Sequence, residues 1–240
     1  MNSFVIRLAE LNILIESKYP YLPELCKNYI VESNDVDISA VATDEKIQNE
    51  RTRSDEEVSP PIAESLCVYR DIAEQLPKYD RVLFHGAAIS YNGKAYLFAA
   101  PSGTGKTTHV NLWRKFIGDD VGIINGDKPI LQIDKTKTIV FGTPWAGKEG
   151  WQTNTSAELG GICFVTRGTD NTCVPISSSD CLIDLFNQIY KPADSESASK
   201  TYELIDRLVS KVPLYRLSCD ISEDAVKASF EALTSEEYRK

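Results

Sequence analysis

The sequence predicts an α/β protein with a small β-rich portion at its N-terminus. Three observations carry that prediction. An apolar strand runs into a glycine-rich loop and then a helix, short apolar segments separated by turns fill the middle, and the last third places apolar residues at helical spacing. With 240 residues, 42% of them apolar, the chain is long enough for one large α/β domain or a domain with a smaller appendage.

Taken in order, residues 4–16 alternate loosely between apolar and polar, with Val5, Leu8, Leu11, Ile13 and Leu14 predicting two short strands around Ala9-Glu10; residues 36–42 predict another. Residues 43–61 are rich in charge and close on Ser59-Pro60-Pro61, which reads as a solvated helix and loop, Ser54 and Glu57 having capping-box spacing. The division between a β-rich portion with its charged linker, 1–60, and the main domain, 61–240, is expected here. Ile62, Leu66, Tyr69, Ile72, Ala73 and Leu76 then share one helical face, and Pro77 follows the last of them, so a core-packing helix should end near Leu76. Residues 82–90 read as a strand, Asn92-Gly93 as a type I′ hairpin turn and residues 95–99 as the returning strand.

Further on, Ile123-Ile124 and residues 130–133, 138–141 and 162–165 are short apolar segments separated by turns such as Asp134-Lys135-Thr136-Lys137. Three helical stripes follow: Cys181, Leu182, Leu185, Phe186 and Ile189; Tyr202, Ile205, Val209 and Val212; Val226, Phe230 and Leu233, with residues 214–217 as a strand between the second and third. No internal repeat is visible.

Composition narrows the function classes. The net charge of −9 repels phosphate backbones and acidic lipid, which argues against a nucleic-acid or membrane-surface role and still allows a small basic pocket. Neither a signal peptide nor a run of roughly 18 apolar residues is present, so a soluble, cytoplasmic protein is expected. Six cysteines lie scattered without C-x-x-C spacing, as expected of reduced, mostly buried thiols and not of a zinc ribbon or redox pair.

The segment Ala100-Pro101-Ser102-Gly103-Thr104-Gly105-Lys106-Thr107 matches G-x-x-x-x-G-K-[ST] apart from its first glycine, and it stands between an apolar strand and a helix, the order a P-loop requires. In such a loop Gly103 and Gly105 let backbone N–H groups turn toward phosphates, and the helix N-terminus adds its dipole. Residues Ser102, Gly103, Thr104, Gly105, Lys106, Thr107 and Thr108 are therefore the candidate nucleotide cradle, with Lys106 at the β- and γ-phosphates and Thr107 offering a hydroxyl to Mg²⁺.

A second metal ligand should end an apolar strand, and Asp127 does so in Val121-Gly122-Ile123-Ile124-Asn125-Gly126-Asp127; the same residues also suit a plain N-G-D turn. His85, in Phe84-His85-Gly86, is one of two histidines and is as compatible with a structural role as with a site role; His109 on the loop's helix reads as a packing or capping residue. The long loop at residues 142–155 joins two tryptophans with Lys148, suited to neutralise charge on a moving phosphoryl group, and Glu149, suited to accept a proton; alternatively it is a solvated loop pinned by its tryptophans.

These motifs, H-G-A, S-G-T-G-K-T-T-H, N-G-D-K-P and G-T-P-W-x-G-K, resemble the C-terminal kinase domain of HPr kinase/phosphorylase, and most closely the small HPr-kinase-like proteins. The resemblance, strongest over residues 80–130, implies the fold shared with phosphoenolpyruvate carboxykinase: a P-loop domain with a mixed β-sheet and flanking helices. It implies an ATP- and Mg²⁺-dependent kinase in which a serine-type hydroxyl of a peptide, protein or small molecule attacks the γ-phosphate. It also raises His85 to a site residue and leaves room for a homo-oligomer. HPr kinases carry two adjacent aspartates in the acidic turn, base first and metal ligand second; here the pair is Gly126-Asp127. Either Asp127 does both jobs, or Glu149 or His85 takes the proton, or transfer is absent and the chain is a nucleotide-binding regulatory or scaffold protein. A carboxykinase-like enzyme acting on a small carboxylic acid is the third reading, and no signature for phosphorolysis is present.

Overall fold

A computed structural model describes residues 2–53, 58–101 and 103–239; the expected capping box at Ser54 and Glu57 lies outside them. The elements run β1 (Asn2–Leu8), β2 (Leu11–Ser17), α1 (Tyr21–Leu25), β3 (Ile30–Val31), β4 (Ile38–Val41), α2 (Asp44–Arg53), α3 (Pro60–Gln75), β5 (Arg81–Leu83), β6 (Ala87–Tyr91), β7 (Lys94–Ala99) and α4 (Lys106–Ile117). They continue β8 (Gly122–Asn125), β9 (Ile130–Ile133), β10 (Thr138–Phe141), β11 (Ser156–Arg167), β12 (Thr172–Pro175), α5 (Ser178–Gln188), α6 (Ser195–Val209), β13 (Leu214–Cys219) and α7 (Glu223–Thr234).

Two compact units divide the chain, Met1–Tyr79 with Lys191–Ser199, and Asp80–Tyr190 with Lys200–Lys240. Helix α3 falls in the first unit, not after a division at residue 60, because it packs on α1, α2 and β4. In that unit β1 and β2 pair antiparallel from Asn2↔Ser17 to Leu8↔Leu11, and the two-residue turn between them holds Ala9 at φ 48 and Glu10 at φ 65. Ile6, Leu8, Leu11, Ile13 and Ile15 are all buried, as the two-residue period of a one-sided sheet requires. The buried face of α3 comprises Ala63, Val68, Tyr69, Ile72 and Ala73, whereas Ile62, expected on that face, is 44% exposed.

The second unit is a mixed sheet with helices on both faces. Its strand path is β5-β9-β10-β11-β7-β6-β8, with β13 beside β11 and β12 beside β13. Strand β7 alternates between two cores: Ala95, Leu97 and Ala99 pack with α5 and α6, and Tyr96 and Phe98 with α4 and α7. Strand β11 is parallel to β7 and β13, while β6 is antiparallel to both β7 and β8. The C-terminal ends of β7, β8, β11 and β13 and the start of β6 consequently meet at one edge of the sheet.

The strand expected over residues 82–90 is broken. β5 pairs with β9 and β6 with β7, and between them His85 N–H donates to Gln188 O at 2.7 Å and Gly86 N–H to Asp127 O at 2.9 Å. A Cβ on Gly86 would stand 2.7 Å from the Phe84 ring and 3.0 Å from Phe98 O, so only glycine fits where the chain crosses between partners. On α5 and α6 the buried stripe is Cys181, Leu185, Leu204, Ile205 and Leu208; Leu182 and Tyr202, expected within it, are exposed. All six cysteines are thiols, five buried and Cys173 half-buried. Among the described residues no helix is long and apolar enough to cross a membrane.

Candidate functional site

The loop that joins β7 to α4 is where the sequence motif takes shape. Its positive φ values among the described residues fall on Gly103 (76°) and Gly105 (127°), the two positions that need glycine. Ala100 therefore replaces the motif's first glycine without conformational penalty. Gly105 caps α4 without any side-chain hydrogen bond, leaving the first-turn amides of a twelve-residue helix to face an anion. Lys106 is only 9% exposed, and its Nζ donates to Ala100 O at 2.8 Å. Burial pulls its pKa below the ordinary lysine value, while the nearby Asp127 carboxylate works to keep it charged.

Arg167, at the end of β11, was not singled out from the sequence. Its Nε donates to Thr104 O at 3.1 Å and its Nη2 to Gly103 O at 2.7 Å, so the neighbouring strand clamps the loop from outside. No local pattern marks this arginine, because its partners lie more than sixty residues away.

The acidic turn is both a turn and a presentation device. Asn125 is fully buried at the end of β8; its Oδ1 accepts from Asp127 N–H at 2.9 Å and Lys128 N–H at 2.7 Å, and its Nδ2 donates to Thr143 O at 3.0 Å. The turn so fixed brings Asp127 to His85, Nε2 to Oδ1 at 3.3 Å, and to an ion pair between its Oδ2 and Lys128 Nζ. Burial opposes ionisation of Asp127, but the His85 hydrogen bond and the Lys128 charge outweigh it and hold the carboxyl at about 2.

Gly126 has no room for a side chain. A Cβ there would lie 2.9 Å from Ala146 O and 3.2 Å from Trp151 Cβ, because the 142–155 loop folds across it and Trp151 O accepts the Gly126 amide at 2.9 Å. That loop is indeed pinned through its tryptophans: Trp145 is buried, and Arg114 sits 5.7 Å from the centre of the Trp151 ring. Gly147 and Gly150, at φ 77 and 65, form a tight turn that leaves Lys148 and Glu149 exposed at its tip.

The strand ends and the loop tip enclose a cleft of about 560 Å³ lined by His85, Gly103, Gly105, Lys106, Thr107, Thr108, Gly126, Asp127, Lys128, Gly147, Lys148 and Glu149. Of the residues singled out from the sequence it gathers all but Thr104 and Ser102; Ser102 lies outside the described residues. Thr104 lines a second cleft of about 490 Å³ on the other side of the loop, walled by Leu112, Val165, Arg167 and Ile221 among others.

His109 also lines that second cleft, and it packs as expected, edge-on to Phe98, although it caps nothing. Burial pushes its pKa down to about 4, so the ring is neutral at pH 7. Trp113 Nε1–H donates to Ser229 Oγ at 2.9 Å, and His109 Nε2 lies 2.9 Å from the same hydroxyl and 3.2 Å from Trp113 Nε1; His109 Nδ1 has no partner among the described residues.

No curated protein matches this chain. Among solved structures, the HPr(Ser) kinase/phosphatase from Coxiella burnetii aligns with a TM-score of 0.35 and 7% identity, over 60% of this chain and 89% of that one. The family model described as SynChlorMet cassette protein ScmC matches residues 49–227, an interval that contains every candidate site residue, and the chain belongs to the ScmC family.

Proposed function

We propose that the protein is an ATP- and Mg²⁺-dependent phosphotransferase acting on a serine-type hydroxyl. The observation that carries this reading is the single cleft that joins the glycine loop and Lys106 to His85, Asp127, Lys148 and Glu149. The triphosphate lies along Gly103–Thr108 against the uncapped start of α4, and the nucleoside extends into the second cleft, where Leu112, Val165 and Ile221 offer apolar surface. Phosphoryl transfer asks mostly for positioning and charge, and Lys106 and Lys148, which line the same cleft, supply positive charge.

His85 is the residue we assign to the acceptor's proton. Asp127 stays ionised down to about pH 2 and is a poor base at neutral pH, but its Oδ1 orients the His85 imidazole by accepting from Nε2 and leaves Nδ1 to face the acceptor. Among the described residues no group of three or more His, Cys, Asp or Glu side chains can hold a metal by itself. The residues present fit Mg²⁺: the Thr107 hydroxyl and the ionised Asp127 carboxylate line the same cleft and would hold it. When bound, it neutralises charge on the β- and γ-phosphates.

The test uses γ-labelled ATP, Mg²⁺ and seryl acceptors. The parent should transfer label, Lys106→Ala should lose roughly a hundredfold in ATP affinity, and His85→Ala should lower kcat by about two orders of magnitude at unchanged ATP affinity. ATP binding without transfer to any acceptor would favour a nucleotide-binding regulator, the reading that the glycine at position 126 supports. Unchanged ATP affinity in Lys106→Ala would remove the phosphate assignment altogether.

A further inference from the structure

A third cavity, of about 340 Å³, adjoins the phosphate cleft and shares His85 with it. Its walls are the end of β7, the stretch Phe164-Val165-Thr166 of β11, and Asp184, Asn187 and Gln188 from the last turns of α5. The charge character of the two spaces differs. The phosphate cleft is lined by Lys106, Lys128 and Lys148 together with Asp127 and Glu149, whereas among the described residues the third cavity has no lysine or arginine in its lining and presents a carboxylate, paired with Arg216 at 3.0 Å, two carboxamides and a hydroxyl.

Gln188 is the central residue. Its backbone oxygen takes the His85 N–H at 2.7 Å, so the same residue that lines the cavity also sets the position of the histidine. Its side chain is buried, 6% exposed, and Oε1 has no hydrogen-bond partner among the described residues. A buried acceptor without a donor is destabilising; Oε1 is closed off from solvent, so the carboxamide turns about its last bond to present that oxygen to the cavity, where a ligand N–H relieves the cost.

We propose that this cavity is the acceptor subsite and that it takes an uncharged or cationic alcohol with an N–H donor next to its hydroxyl, as in a seryl peptide unit or an amino alcohol. The proposal rests on the phosphotransferase reading. In it, the alcohol oxygen bonds to the γ-phosphorus as the bond from that phosphorus to the β,γ-bridging oxygen breaks. The electron pair leaves with the diphosphate and the alcohol proton passes to His85, which stands where the two cavities meet. An acceptor carrying a carboxylate into the cavity would meet Asp184, already paired with Arg216 at 3.0 Å, and no unpaired cation among the described lining residues, which disfavours the small carboxylic acids of a carboxykinase-like reaction.

The experiment saturates the full chain with Mg²⁺ and a non-hydrolysable ATP analogue and follows probe binding by NMR titration. The probes are N-acetyl-L-serinamide, ethanolamine and 3-hydroxypropionate, against the parent, Gln188→Met and Gln188→Glu. The parent should bind at least one of the first two more tightly than 3-hydroxypropionate, and the tighter of them tells a peptide acceptor from a free amino alcohol. Gln188→Met should weaken that binding about tenfold, the worth of one good hydrogen bond, while Gln188→Glu, which keeps an acceptor oxygen, should retain it. Equal or tighter binding of 3-hydroxypropionate, no binding of any probe, an unchanged Gln188→Met, or equal loss in both variants would each overturn the assignment. Because the analogue cannot transfer its phosphoryl group, probe binding here together with no transfer from ATP counts against the phosphotransferase reading alone and leaves the ligand site standing.

Discussion

At the scale of single residues, the contacts of Asp127 decide the chemistry of the cleft. Its folded pKa of about 2 lies below its ordinary 3.8, so the interactions with His85 and Lys128 stabilise the fold fully above the unfolded value and are lost as pH falls through about 2. The parent should exceed Asp127→Asn in unfolding free energy by roughly 2 kcal/mol above pH 5, with the gap closing as pH falls from about 4 to about 2; denaturant titrations across that range check it. Arg167 acts on the loop from outside, through the carbonyls of Gly103 and Thr104. Arg167→Met should weaken ATP binding about fivefold, a modest effect because the arginine is solvent-exposed, while leaving the melting temperature nearly unchanged; calorimetric titration with nucleotide reads the affinity and a thermal melt of the free protein reads the stability.

At the scale of elements, the crossing of the 142–155 loop over the acidic turn explains why the residue before Asp127 is glycine. The backbone oxygen of Ala146 stands 2.9 Å from where a Cβ would be, so a second aspartate cannot enter without moving the loop. Gly126→Asp, which on paper restores a paired carboxylate, should therefore cost about 1–3 kcal/mol in stability and reduce activity, measurable by thermal melts and label transfer. Some elements were readable from local pattern alone: the Asn92-Gly93 turn, the strand into the glycine loop and the helix after it. Others were not. Helix α1 has five residues and a proline at position 23, too short for any periodicity to show, and β3 has two. The break at His85-Gly86 was invisible because both halves of residues 82–90 are apolar and only their different partners, β9 and β7, separate them.

At the scale of the whole second unit, the parallel run of β7, β11 and β13 brings three loops from distant parts of the chain to one edge, where ligand crevices of open α/β sheets form. The same packing buries the thiols. Burial drives Cys219 up to about 11 and holds Cys163 well above the ordinary thiol value, and in the first unit it drives Cys26 up to about 12. A thiol reagent at pH 8 should therefore react first with half-buried Cys173 and with all six cysteines only in denaturant, as counted by mass spectrometry.

What the sequence determined by itself was whatever depends on neighbours along the chain: strand, glycine loop and helix in order, the two positions that need positive φ, and the residue types of the acidic turn and the 142–155 loop. What only the tertiary structure decided was which of those residues share a cleft, that His85 meets Asp127, that Arg167 and Gln188 belong beside them, and that Gly126 has no space for a side chain. The physical reason is that each depends on sheet register and loop packing between segments far apart in the chain, and local pattern carries no record of either.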